Sequence, residues 1–85
     1  MDIKLITWLK DGQYRIKTLE LLQNSPLLSS ELASALDINR ASMSRILRVL
    51  KEKGLVKQVS AKSRTVSYCL PDKGIKALKQ FQDSR

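Results

Sequence analysis

The sequence has no histidine and one cysteine, Cys69. Beside the missing histidine, no nucleophile–base pair and no Gly-rich phosphate loop are evident in it. Its eight carboxylates are scattered along the chain. An enzyme is therefore the reading the residues favour least, and no cofactor is expected. A lone cysteine cannot close an internal disulfide, which points to an intracellular, cytoplasmic chain. Cys69 reads as a small hydrophobe in a strand, with a redox switch as the lesser alternative. No apolar run approaches the roughly 18 residues of a membrane span. The opening MDIKLITWLKDG is interrupted by Lys4 and lacks a small-residue cleavage site, so it is a poor signal peptide. Glycine and proline are scarce, three and two, in a chain 42% hydrophobic and 28% charged. That balance argues against disorder. Neither repeats, low-complexity segments nor a linker are evident. At 85 residues the expectation is a single domain over 1–85 with a thin core.

Negative charge is also missing from one particular block. From Arg40 to Arg64 there are eight cations (Arg40, Arg45, Arg48, Lys51, Lys53, Lys57, Lys62, Arg64) against Glu52 alone, a net of +7 out of the chain's +8. A solvated face is the ordinary meaning of a charge run. Here the run coincides with one helix face and the loop after it, which favours a polyanion partner.

That helix is the stretch NRASMSRILRVLKEKG, residues 39–54. Asn39 is placed to cap it, with Ile38 and Met43 spaced as a hydrophobic staple. Gly54 suits a left-handed stop, with Leu50 and Leu55 meeting across it. Met43, Ile46, Leu47 and Leu50 form one apolar stripe. The other side carries Arg40, Ser44, Arg45, Arg48 and Lys51.

Upstream, residues 2–10 predict a short helix and an N-terminal extension over 1–12; a strand pair around Asp11-Gly12 is the alternative. Trp8 and Tyr14 flank that turn, suited to core or subunit packing, with base stacking as a weaker option. Residues 13–23 are helical by period, ending at Asn24-Ser25-Pro26. Leu27-Leu28 is an apolar link that could run extended. Ser29 is the expected N-cap of a helix to Leu36, with Glu31 in its first turn. Asp37-Ile38-Asn39 leaves room only for a tight turn. Residues 29–53 thus form a helix–turn–helix. Past Gly54, residues 55–59 and 65–70 read as strands around a basic tip, a hairpin over 55–70. Pro71 and Asp72 open a last helix over 72–82. The class is mainly α with a small β-hairpin (α+β): a three-helix core, a wing and a C-terminal helix.

The run LLSSELASALDINRASMSRILRVLKEKGLV resembles the helix–turn–helix of MarR-like and ArsR-like transcriptional regulators of bacteria and archaea. SRTVSYCLPDKGIKAL is similar to their join between wing and last helix, through Arg64, Tyr68-Cys69-Leu70 and Gly74. The resemblance covers about residues 14–82 and implies a winged helix–turn–helix. It departs in lacking the extra terminal helices of full-length MarR-type chains, in having Pro71 where Thr is common, and in lacking an ArsR-type metal site.

Docked as those relatives dock, the face bearing Arg40, Ala41, Ser42, Ser44, Arg45 and Arg48 would enter the major groove. Arg45 and Arg48 are the candidates for guanine edges, since a guanidinium can bond O6 and N7 together. Ser29 and Ser30 suit a phosphate at the preceding helix start. Lys62 and Arg64 at the wing tip would reach the minor groove or its phosphates. Lys51, Lys53 and Lys57 read as solvated or long-range contributors. The implied function is a sequence-specific double-stranded DNA-binding transcriptional regulator, nucleoid-associated when bound. It would act as a homodimer on a palindromic site, through Ile3, Ile6, Trp8 and Leu9 with Ile75, Leu78 and Phe81. A nonspecific architectural DNA binder, or a winged helix used for protein–protein assembly, is the competing reading.

Overall fold

The computed structural model describes residues 3–60 and 66–83. Its elements are α1 (Ile3–Lys10), α2 (Gln13–Asn24), β1 (Leu27–Leu28), α3 (Ser29–Leu36), α4 (Arg40–Glu52), β2 (Lys57–Ser60), β3 (Val66–Cys69) and α5 (Asp72–Asp83). This is an α+β winged helix.

Residues 3–10 choose helix over hairpin. Ile6 and Leu9, one turn apart, are both buried, and α1 packs on α2 and α5. Asp11-Gly12 closes the helix, with the Asp11 N–H donating to the Thr7 carbonyl at 3.1 Å. Arg15 from α2 then holds the corner. Its Nη1 donates to the Trp8 carbonyl at 2.6 Å, and its guanidinium lies 4.2 Å from the Trp8 ring centroid. A cation over an indole face adds about 0.5–1 kcal/mol when exposed and more when shielded from water.

The sheet has three strands, one more than the hairpin expected. Its order is β1-β3-β2, antiparallel throughout, with Tyr68 between Leu27 on one side and Gln58 on the other. β1 consists of two residues, too few to show a strand period, and exists because β3 pairs with it. β2 begins at Lys57, not at Leu55. Leu55 belongs to the end of α4: its N–H donates to the Leu50 carbonyl at 2.9 Å, beside Gly54 N–H to Lys51 carbonyl at 3.0 Å. With Gly54 at φ +75° this is the predicted Schellman stop.

α3 stops the same way without a glycine. Ile38 N–H donates to the Ala33 carbonyl and Asp37 N–H to the Ser34 carbonyl, while Asp37 takes φ +55°. Asp tolerates that region better than most residues with a Cβ. The start of α3 differs from expectation. Ser29 is already its first residue, so the cap position falls on Leu28, and the Glu31 carboxylate accepts the Leu28 N–H at 2.8 Å. The cause is β1, which keeps the backbone extended through Leu28 (φ −77°, ψ 155°) and leaves no free residue before the helix.

Leu19, Leu32, Met43, Leu47, Leu50, Leu55 and Leu78 are almost wholly excluded from solvent and make one continuous core. Truncating any of these leucines to alanine would cost about 2–5 kcal/mol. Thr18, the buried polar side chain among the described residues, is satisfied by donating to the Tyr14 carbonyl at 2.6 Å. Four residues assigned from sequence to a subunit interface, Ile6, Leu9, Leu78 and Phe81, are instead spent in this core. α1 and α5 pack on α2 and on each other, which accounts for that burial. Of the assigned set, Ile3 (73% exposed) and Ile75 (42%) retain free apolar surface, and Trp8 is half-buried. Among the described residues, no helix is long and apolar enough to cross a membrane.

Candidate nucleic-acid interface

α4 is the second helix of the helix–turn–helix, and its orientation is fixed from three directions. Its stripe of Met43, Leu47 and Leu50 is buried, with Ile46 half-buried against the same core. The Asn39 side-chain oxygen accepts the Ser42 N–H at 2.8 Å and sets the first turn. The Gly54 stop sets the last.

What is left facing water is the cationic side. Arg40, Ala41, Ser44, Arg45 and Arg48 are all exposed, whereas Ser42 is half-buried at the rim. Among the described residues, neither Arg45 nor Arg48 makes a hydrogen bond or ion pair, so their guanidinium donors are free to serve a ligand. The first turn of α4 carries no acid, so beyond the Asn39 cap no carboxylate of that turn offsets the positive end of the helix dipole. Anions are favoured at such an end. Ser29 and Ser30 occupy the first turn of α3, both half-buried. Lys62 and Arg64, assigned to the wing tip, lie outside the described residues.

Two contacts were not foreseen. Lys51, read as solvated, donates from Nζ to the Gln58 side-chain oxygen at 2.7 Å and so ties the last turn of α4 to β2. Lys53 places its Nζ 4.8 Å from the centroid of the Trp8 ring. Neither pair had a readable signal in sequence. Each depends on the chain reversing at Gly54 or on α1 bringing Trp8 to the end of α4. Among the described residues, no group of three or more potential ligating side chains is placed to hold a metal ion.

A family model described as the HVO_A0261 N-terminal domain matches residues 4–83. No curated protein matches the chain in sequence. Solved structures do match in fold. A cysteine-to-serine mutant of Lactococcus lactis ZitR is 24% identical with a TM-score of 0.77, over 85% of this chain and 51% of that one. ZitR is described as a zinc-responsive MarR family member. The transcriptional regulator BldR from Sulfolobus solfataricus is 17% identical with a TM-score of 0.81, over 94% of this chain and 62% of its own. The ZitR mutant in complex with DNA is 25% identical with a TM-score of 0.73, over 82% of this chain and 49% of that one. The chain thus spans about half the length of ZitR. The MarR-like winged helix read from sequence is the fold observed.

Proposed function

The chain belongs to the HVO_A0261 N-terminal domain family, and on that footing we propose that it is a sequence-specific double-stranded DNA-binding transcriptional regulator rather than an enzyme. The observation that carries this reading is the exposed face of α4. Among the described residues Arg45 and Arg48 have no hydrogen-bond or ion-pair partner there, opposite the buried Met43, Leu47 and Leu50, on the second helix of a helix–turn–helix. A DNA complex of one structural neighbour, ZitR, supports it.

In this reading residues 1–85 act as one winged-helix domain. Ala41, Ser44, Arg45 and Arg48 enter the major groove, and Arg45 and Arg48 bond guanine edges. Arg40, Ser42, Ser29 and Ser30 hold phosphates and fix the register, work that positions the protein without reading sequence. Lys62 and Arg64 add minor-groove or phosphate contacts from the wing. Two copies meet through the exposed apolar side chains of α1 and α5, Ile3 and Ile75. The pair then places its recognition helices about one helical turn apart on a palindromic site.

The test is selection from random duplexes followed by gel shift at two salt concentrations. The Arg45→Glu, Arg48→Glu double variant is expected to lose specific binding. Retained affinity for the selected site would remove α4 from the interface. Binding that is steeply salt-dependent but indifferent to sequence would favour an architectural DNA binder instead.

A further inference from the structure

The exposed face of α4 has a centre, and Ala41 stands at it. At ~100° per residue, Ala41 lies about 180° around the helix from the buried Leu50. Arg45 falls about 40° to one side of it and Arg48 about 20° to the other. The side chain aimed most squarely away from the core is thus a single exposed methyl group between two guanidinium stems. The two ends of this face differ in charge. The first turn holds Arg40 and no acid. Glu52 points within about 20° of Ala41, but roughly 16 Å further along the axis. It is exposed and, among the described residues, has no ion-pair partner. A polyanion is therefore attracted at the first turn and repelled at the last, so the end of α4 that bears Ala41 seats deepest.

We infer that Ala41 is a specificity-determining residue that reads the C5-methyl group of a thymine. The inference rests on the proposed function and names part of the sequence that this face selects. A methyl side chain has no donor or acceptor, so a base edge matches it only through an apolar group. In the major groove thymine presents one, its C5-methyl. The two-pronged polar route to an A·T pair is missing from the helix. Asparagine and glutamine bond adenine N6 and N7 together, and α4 contains neither. The Asn39 oxygen just before it already accepts the Ser42 N–H. Ser44 can bond more than one kind of base edge and so discriminates little. Arg45 and Arg48 are matched to guanine. The face therefore suits a half-site with thymine beneath the first turn of α4 and guanine beneath the turns that follow.

The probe is the duplex recovered by selection from random sequence. Each thymine of a half-site is replaced in turn by 2′-deoxyuridine, which lacks the methyl group and keeps the base pairing. Gel shift should show one thymine per half-site whose replacement weakens binding about fourfold, the fold-change for one buried methyl group. Ala41→Gly should bind the thymine and deoxyuridine duplexes equally. Each ratio compares two duplexes on one protein preparation, so any loss of folded fraction cancels, and a thermal melt measures that loss. The inference is overturned if no thymine responds to loss of its methyl group, or if the response survives in Ala41→Gly. A chain that selects no sequence at all overturns the proposed function, and this inference with it. A chain that selects a sequence whose thymines are all indifferent to the replacement overturns the assignment of Ala41 alone.

Discussion

Gly74, in the first turn of α5, faces the carbonyl oxygen of Leu55 so closely that a Cβ on it would overlap that oxygen and come within 2.7 Å of Leu70 Cδ1. The obstacle is backbone, and the Leu55 N–H is itself committed to the end of α4. Gly74→Ala should therefore cost about 1–3 kcal/mol, the range for overfilling a packed site. Urea denaturation measures it. An unchanged midpoint would mean that α5 can slide away from Leu55.

Gly54 is required for a different reason. Its nearest neighbour, the Lys73 stem, leaves ordinary space for a Cβ, but φ is +75°. Gly54→Ala is expected to lose about 1–2 kcal/mol through backbone strain alone. Gly54→Asn should lose less, because asparagine tolerates the left-handed region. Equal losses for Ala and Asn would show that space, and not φ, governs the position.

The Asn39 cap can be tested by thermal melting. Asn39→Ala leaves the Ser42 N–H without its 2.8 Å acceptor and should cost about 1 kcal/mol, while Asn39→Ser should retain most of the stability. Were serine as damaging as alanine, the asparagine would be acting through packing.

For the proposed DNA contact, Arg48→Lys separates charge from geometry. The charge remains, so the salt dependence of binding should hold. The two-pronged donor is lost, so discrimination at one base pair should fall by about 1–3 kcal/mol. A change in salt slope with intact discrimination would reassign Arg48 to a phosphate.

The features legible in sequence were those encoded by neighbouring residues. Asn39, the stripe from Met43 to Leu50 and the Gly54 stop define α4 within sixteen residues, and each stands where its spacing places it. The rest depended on distant partners. β1 is two residues long and takes its strand character from Ser67 and Tyr68, about forty positions later. That pairing also displaced the cap of α3 from Ser29 to Leu28. Ile6, Leu9, Leu78 and Phe81 read equally well as interface or core, because periodicity marks an apolar face without naming what covers it. The exposure of Ala41, Ser44, Arg45 and Arg48 followed from helical angle alone. The ties from Lys51 to Gln58 and from Lys53 to Trp8 required the folded chain.

β3 is bonded along both edges: to β1, which runs without a break into α3, and to β2, which is tethered to α4 through Lys51 and Gln58. Helix pair and wing strands of the proposed reading head are therefore joined through one sheet. Under the proposed function, duplexes would be sorted by the distance between adjacent grooves as well as by the bases that Arg45 and Arg48 touch.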